Sequence, residues 1–100
     1  MKIYDAALVC RSKNAGPFQV TVDLMFSTAE NYHKVLQSSR FTPEVIGKLY
    51  QVDPDRVAIK TFESILTVKV VLPRRHGSGS PLDTDVYGSQ QHFPLGNLEI

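Results

Sequence analysis

Two polar stretches of the chain carry most of the residues with chemistry in them. Near the start, Arg11-Ser12-Lys13-Asn14-Ala15-Gly16-Pro17 sets two cations, a hydroxyl, an amide and a glycine side by side. Arginine and lysine beside exposed backbone amides make a cradle for an anion, whether a carboxylate, a phosphate or the oxygen of a thioester. The same residues also compose a solvated turn, with Asn-Ala-Gly-Pro supplying its geometry. A Walker loop is excluded, because the Gly-x-x-x-x-Gly-Lys spacing is absent. Near the end, residues 73–92 hold three of the six glycines, a spaced pair of aspartates and two histidines. Asp85 or His92 has the chemistry of a general base, since histidine titrates near neutral pH. With Lys13 they are the candidate catalytic residues. Arg11, Ser12, Asn14, Gly16, Ser78, Asp83, Tyr87, Gln90 and Gln91 are the candidate substrate-binding residues. Asp83, Asp85 and His92, with His76, also have the atom types for a divalent metal. Two carboxylates and a distant histidine fit no standard spacing, so a metal is the lesser reading and no cofactor is expected.

The length of the second stretch is itself a clue. Structureless connections beyond about 12–15 residues are uncommon in compact domains and are usually functional or disordered. Gly77-Ser-Gly-Ser80 fits disorder, whereas Leu82, Val86, Tyr87, Phe93 and Leu95 are spaced apolar anchors that fit docking on another surface.

The elements that must position these residues can be read from periodicity. Phe18, Val20, Val22, Leu24 and Phe26 alternate with Gln19, Thr21, Asp23 and Met25, the pattern of a half-buried strand. Ser27-Thr-Ala-Glu30 reads as a capping box opening a helix through Tyr32, Val35 and Leu36. Thr42 as N-cap and Pro43 at the first position open a second helix, whose apolar face is Val45, Ile46, Leu49 and Tyr50. Asp53-Pro54-Asp55 stops it. Residues 57–62 and 66–72 read as two strands, which so short a connection forces antiparallel. Residues 95–100 read as a last short strand, and residues 3–9 fit a helical turn or a strand equally. The order implies an α+β domain with helices on one face of a small, mostly antiparallel sheet, for which ferredoxin-like is the nearest named arrangement. The division expected is a core over 1–72, a polar functional or interface segment over 73–94 and the terminal strand.

Totals narrow the function classes. One hundred residues make one domain, and a formal charge of +1 gives no broad field for nucleic acid or anionic lipid. Arg74-Arg75 is too short for a nucleic-acid patch and lacks an aromatic platform. No apolar run approaches the length of a membrane span, and Cys10 has no partner for an internal disulfide. A soluble cytoplasmic domain is expected. Cys10 follows the apolar run Ala6 to Val9 and reads as a small buried hydrophobe, and His33 reads as a solvent-facing helix residue.

Two motifs together carry a resemblance. Arg-Ser-Lys-Asn-Ala-Gly-Pro-Phe (11–18) and Gly-Ser-Gly-Ser-Pro-Leu-Asp-Thr-Asp-Val-Tyr-Gly-Ser-Gln-Gln-His (77–92) resemble stretches at the start and end of the domain of unknown function 4387 family, and the likeness extends over essentially the whole chain. The resemblance implies a small chain that stands beside, or is fused to, a larger protein of the acyclic terpene utilisation A type. Such larger proteins are associated with catabolism of branched or unsaturated acids, often as CoA thioesters. The expectation is a small subunit that completes a site for a lyase, hydratase or isomerase step on a small hydroxy or unsaturated acid or its CoA thioester. A non-catalytic interaction or regulatory domain is the alternative, and a stand-alone anion-binding homo-oligomer the third.

Overall fold

The computed structural model describes residues 1–15, 18–73 and 93–100. Its centre is a four-stranded sheet in the order β1-β2-β4-β3, with every neighbouring pair antiparallel. The strands are β1 (Val9–Asn14), β2 (Gln19–Met25), β3 (Ala58–Phe62) and β4 (Thr67–Pro73). β1 and β2 form one hairpin and β3 and β4 another, and the two hairpins meet through their second strands. Helices α2 (Ala29–Leu36) and α3 (Pro43–Tyr50) lie between them in sequence, and α1 (Ile3–Ala6) and α4 (Phe93–Gly96) flank them. The α+β class stands, but ferredoxin-like is not confirmed. Both helices fall between two direct hairpins here, whereas that arrangement puts one helix inside each β-α-β half.

Period two on β2 decides where the core sits. Val20, Val22 and Leu24 are fully buried, as are Val68 and Val70 beside them on β4. Tyr32 and Val35 of α2 and Ile46 of α3 belong to the same apolar cluster, so the helices cover that face of the sheet. β3, at the edge, is mostly exposed.

The second helix starts as its sequence predicts, with the Thr42 hydroxyl accepting from the Val45 amide at 3.2 Å and Pro43 following. It ends at Gln51, whose left-handed conformation (φ 59°) turns the chain, ahead of Asp53-Pro54. The first helix starts one residue later than the Ser27-Glu30 box implies. Thr28 is the N-cap, accepting from the Asn31 amide at 3.2 Å, while the Asn31 side chain donates to the Ala6 carbonyl at 3.3 Å. That second bond ties α2 to the end of α1 and selects the later start.

Of the two alternatives for residues 3–9 the helical turn is found, at Ile3–Ala6, and strand β1 begins only at Val9. The expected terminal strand over 95–100 is a correction. Phe93–Gly96 is a helical turn, and only Glu99 forms a bridge, opposite Lys2. Gly96-Asn97 favours a turn, and Leu95 anchors it, fully buried with its amide donating to the Tyr50 hydroxyl at 3.2 Å. The Met1 ammonium then pairs with Glu99 at 2.9 Å, bringing the two ends of the sequence together.

Candidate functional site

Strand register builds a row of charges across the sheet, on the face opposite the helices. Arg11 stands opposite Asp23, Asp23 opposite Lys69, and Lys69 opposite Lys60, one residue from each strand. Directly opposed side chains share a face and interact, and like charges so placed repel. The row therefore sets three cations against one carboxylate, with Lys60 and Lys69 left facing each other. Lys13, two residues beyond Arg11, shares their face and stands opposite Thr21.

The single carboxylate is the buried member. The Asp23 side chain is 5% exposed, whereas those of Arg11 and Lys69 are 59% and 37% exposed. Arg11 Nε lies 3.6 Å from Asp23 Oδ2 and Lys69 Nζ lies 3.9 Å from Oδ1. Both distances are ion pairs and neither is a hydrogen bond. Among the described residues Asp23 Oδ1 accepts no hydrogen bond at all.

Beside this row is a pocket of about 230 Å³ lined by Arg11, Lys13, Asp23, Met25, Phe62, Ile65, Thr67 and Lys69. Its apolar side comes from the β3–β4 connection. Leu66 takes a left-handed conformation (φ 49°) there, and Ile65 is left 64% exposed beside Phe62. The Thr67 hydroxyl donates to the Ile65 carbonyl at 3.0 Å, holding that corner. One wall is thus cationic and the other hydrocarbon, which suits an organic anion with an apolar body.

The structure sorts the sequence-derived candidates. Arg11 and Lys13 meet in this pocket. Ser12 does not: it is buried and stands opposite Val22 on the helix side of the sheet. Residues 11–14 form an edge strand and not the expected loop, a correction with a chemical consequence. Their backbones belong to the ladder with β2, which ends at Asn14 opposite Val20, so anion binding shifts from loop amides to side chains. Gly16, Ser78, Asp83, Asp85, Tyr87, Gln90, Gln91 and His92 lie outside the described residues, as does the metal reading at Asp83, Asp85, His92 and His76. Among the described residues no group of three or more His, Cys, Asp or Glu side chains could hold a metal ion. The chain leaves β4 at Pro73, directly opposite Gln19, next to the end of the β1–β2 hairpin.

Asp23 and Lys69 are the site residues that sequence reasoning passed over. Each interrupts an apolar alternation from its outward face, in a strand that proves to be central, and that was the available signal. Cys10 lies on the other face, and burial pushes its thiol up to about 11, so it is protonated at neutral pH and a poor nucleophile. Burial also raises the Tyr50 hydroxyl, which accepts from Leu95. His33 is exposed on α2, as expected, 3.4 Å from Glu63.

Fold and pocket together define a small α+β domain that presents a cation-lined cleft on the sheet face opposite its helices. The chain matches the family described as Domain of unknown function (DUF4387) over residues 3–99, and it belongs to that family. Neither a curated protein nor a solved structure matches it. Among the described residues no helix is long and apolar enough to cross a membrane.

Proposed function

We propose that this domain binds an organic anion against Arg11, Lys13 and Lys69, as the small subunit of a larger protein of the acyclic terpene utilisation type. The ligand is a small hydroxy or unsaturated acid or its CoA thioester, and the shared site performs a lyase, hydratase or isomerase step. The observation that carries this reading is the pocket's lining, cations on one side and Met25, Phe62 and Ile65 on the other. Its size supports a shared site. Pockets that bury most of a ligand run to about 300–1,000 Å³, and this one, at about 230 Å³, falls short. A second polypeptide closing over Phe62 and Ile65 would supply the missing wall and exclude water. In that drier setting Lys13 would stabilise negative charge developing on a carboxylate or thioester oxygen.

The test is turnover of the larger chain, alone and with this domain, on a panel of branched hydroxy and unsaturated acids and their CoA thioesters. Full activity of the larger chain alone removes the proposal. A variant carrying Arg11→Gln and Lys13→Gln that assembles normally yet turns over about a hundredfold slower supports it, a loss of about 2.7 kcal/mol of transition-state stabilisation. Turnover that falls only as far as assembly falls would favour the non-catalytic interaction reading.

A further inference from the structure

We infer that Asp23 is the hydrogen-bond acceptor for a hydroxyl on the bound acid, which makes the ligand a hydroxy carboxylate. This deepens the anion-binding reading above and rests on it.

Among the described residues, the pocket holds a buried acceptor without a donor. Asp23 lies on the central strand β2 with its side chain 5% exposed, and it lines the pocket. Its Oδ1 takes no hydrogen bond among the described residues, and the cation paired with it, Lys69 Nζ, stops at 3.9 Å on a partly exposed side chain that can move aside for a ligand. A buried carboxylate oxygen without a donor is costly and rare, so a site that keeps one is short of a donor. The gaps of 3.6 and 3.9 Å to its two cations are too long for direct hydrogen bonds, so neither cation supplies the missing donor.

The surroundings limit what that donor can be. Arg11, Lys13 and Lys69 line the same pocket, and Lys60 stands beside Lys69 on the sheet. An ammonium donor would meet those cations, whereas a neutral hydroxyl would not. The cations in turn hold an anionic group of the same molecule. Met25, Phe62 and Ile65 cover an apolar remainder. Hydroxyl, carboxylate and hydrocarbon on one small skeleton describe a branched or medium-length hydroxy acid. A plain unsaturated acid lacks the donor and leaves Asp23 as it is.

The experiment titrates the full chain, followed by NMR amide shifts, with three acids of one skeleton: 4-methylpentanoate, 2-hydroxy-4-methylpentanoate and 2-amino-4-methylpentanoate. The hydroxy acid is expected to bind about tenfold tighter than the plain acid, the ordinary worth of a hydrogen bond to a charged acceptor, and the amino acid more weakly than the hydroxy acid. Asp23→Val should abolish the preference while leaving the plain acid bound at least as tightly. Arg11→Gln or Lys13→Gln should weaken both acids alike. Equal binding of hydroxy and plain acids by the unaltered chain overturns the inference and leaves the anion reading standing, with Asp23 merely hydrated. Tighter binding of the amino acid overturns it in favour of an ammonium ligand. No shifts with any of the three overturns the anion reading as well. The comparison in the unaltered chain needs no variant, so it stands even if Asp23→Val fails to fold.

Discussion

Replacing Asp23 with valine should raise the melting temperature of this domain. Two ion pairs would be lost, but both are long, at 3.6 and 3.9 Å, and their cations keep much of their solvent contact. Pairs of that kind contribute about 0.2–1 kcal/mol each. Against them stands the desolvation of a carboxylate whose side chain is only 5% exposed, a cost of several kcal/mol in a protein interior. One of its oxygens recovers nothing through hydrogen bonding. Valine also suits a central strand, where Val22 already precedes the position. The net gain should be about 1–2 kcal/mol, within the range seen when buried charges give way to apolar residues of similar volume. For a domain of this size that moves the melting temperature by about 5–15 °C. Thermal unfolding followed by circular dichroism at neutral pH and about 0.1 M salt, near a 10 Å screening length, is the assay. A fall in melting temperature would mean that Arg11 and Lys69 stabilise Asp23 more than burial penalises it, and the claim that the site lacks a donor would collapse.

Two further outcomes follow from local geometry. Thr28→Ala should cost about 1 kcal/mol of stability and Ser27→Ala only a few tenths, because the Thr28 hydroxyl is the one capping α2; equal losses in urea unfolding would restore the Ser27 box. Burial holds the Cys10 thiol at about 11 in the fold, against 9.0 as the reference for the unfolded chain. Below pH 9 both states keep the proton. Between about 9 and 11 the unfolded chain releases it first, so stability should fall as pH rises through that window. Cys10→Ala should flatten part of the fall in urea midpoints measured across it, and an unchanged slope would show that the thiol is not the group responsible.

How far the fold was legible depended on whether a face was apolar. β2 announced itself because Val20, Val22 and Leu24 fill one side of it, and α3 because Thr42-Pro43 can hardly be anything but a helix start. β1 was missed for the converse reason. Its inward residues near the Arg11 motif are Cys10 and Ser12, too small and too polar to mark a period of two, and its outward ones are Arg11 and Lys13. An edge strand buries little, so its sequence has little need to look like one. The α2 start was displaced because Ser27 and Thr28 are both competent caps. The bond from Asn31 to the Ala6 carbonyl, a contact remote in sequence, settles between them. Arg11 and Lys13 were legible as site residues by type alone. Asp23 and Lys69 were not, since what makes them a site is the register that sets them side by side, and register is fixed by the turns and the core of the whole sheet.

The central strand shows why the polar face is the place to look for function. β2 is buried on both sides. Val20, Val22 and Leu24 face the helices, while Thr21 and Asp23 are almost equally hidden on the other side. For a small domain with a limited core, apolar residues on that second side would add burial at no cost in hydrogen bonding. The chain instead carries there a carboxylate short of donors, next to a strand whose Lys69 also opposes Lys60, beside a lip of exposed Phe62 and Ile65. Each of these works against the isolated domain, and all of them become favourable once an anion with a hydroxyl and an apolar body sits in the cleft. Lys13 and Lys69 gain a counter-charge, Asp23 gains a donor, and the lip is covered. Where a sequence departs from what its own sheet favours in several ways at one spot, and a single class of ligand reverses every departure, the ligand is the simplest physical reason for them.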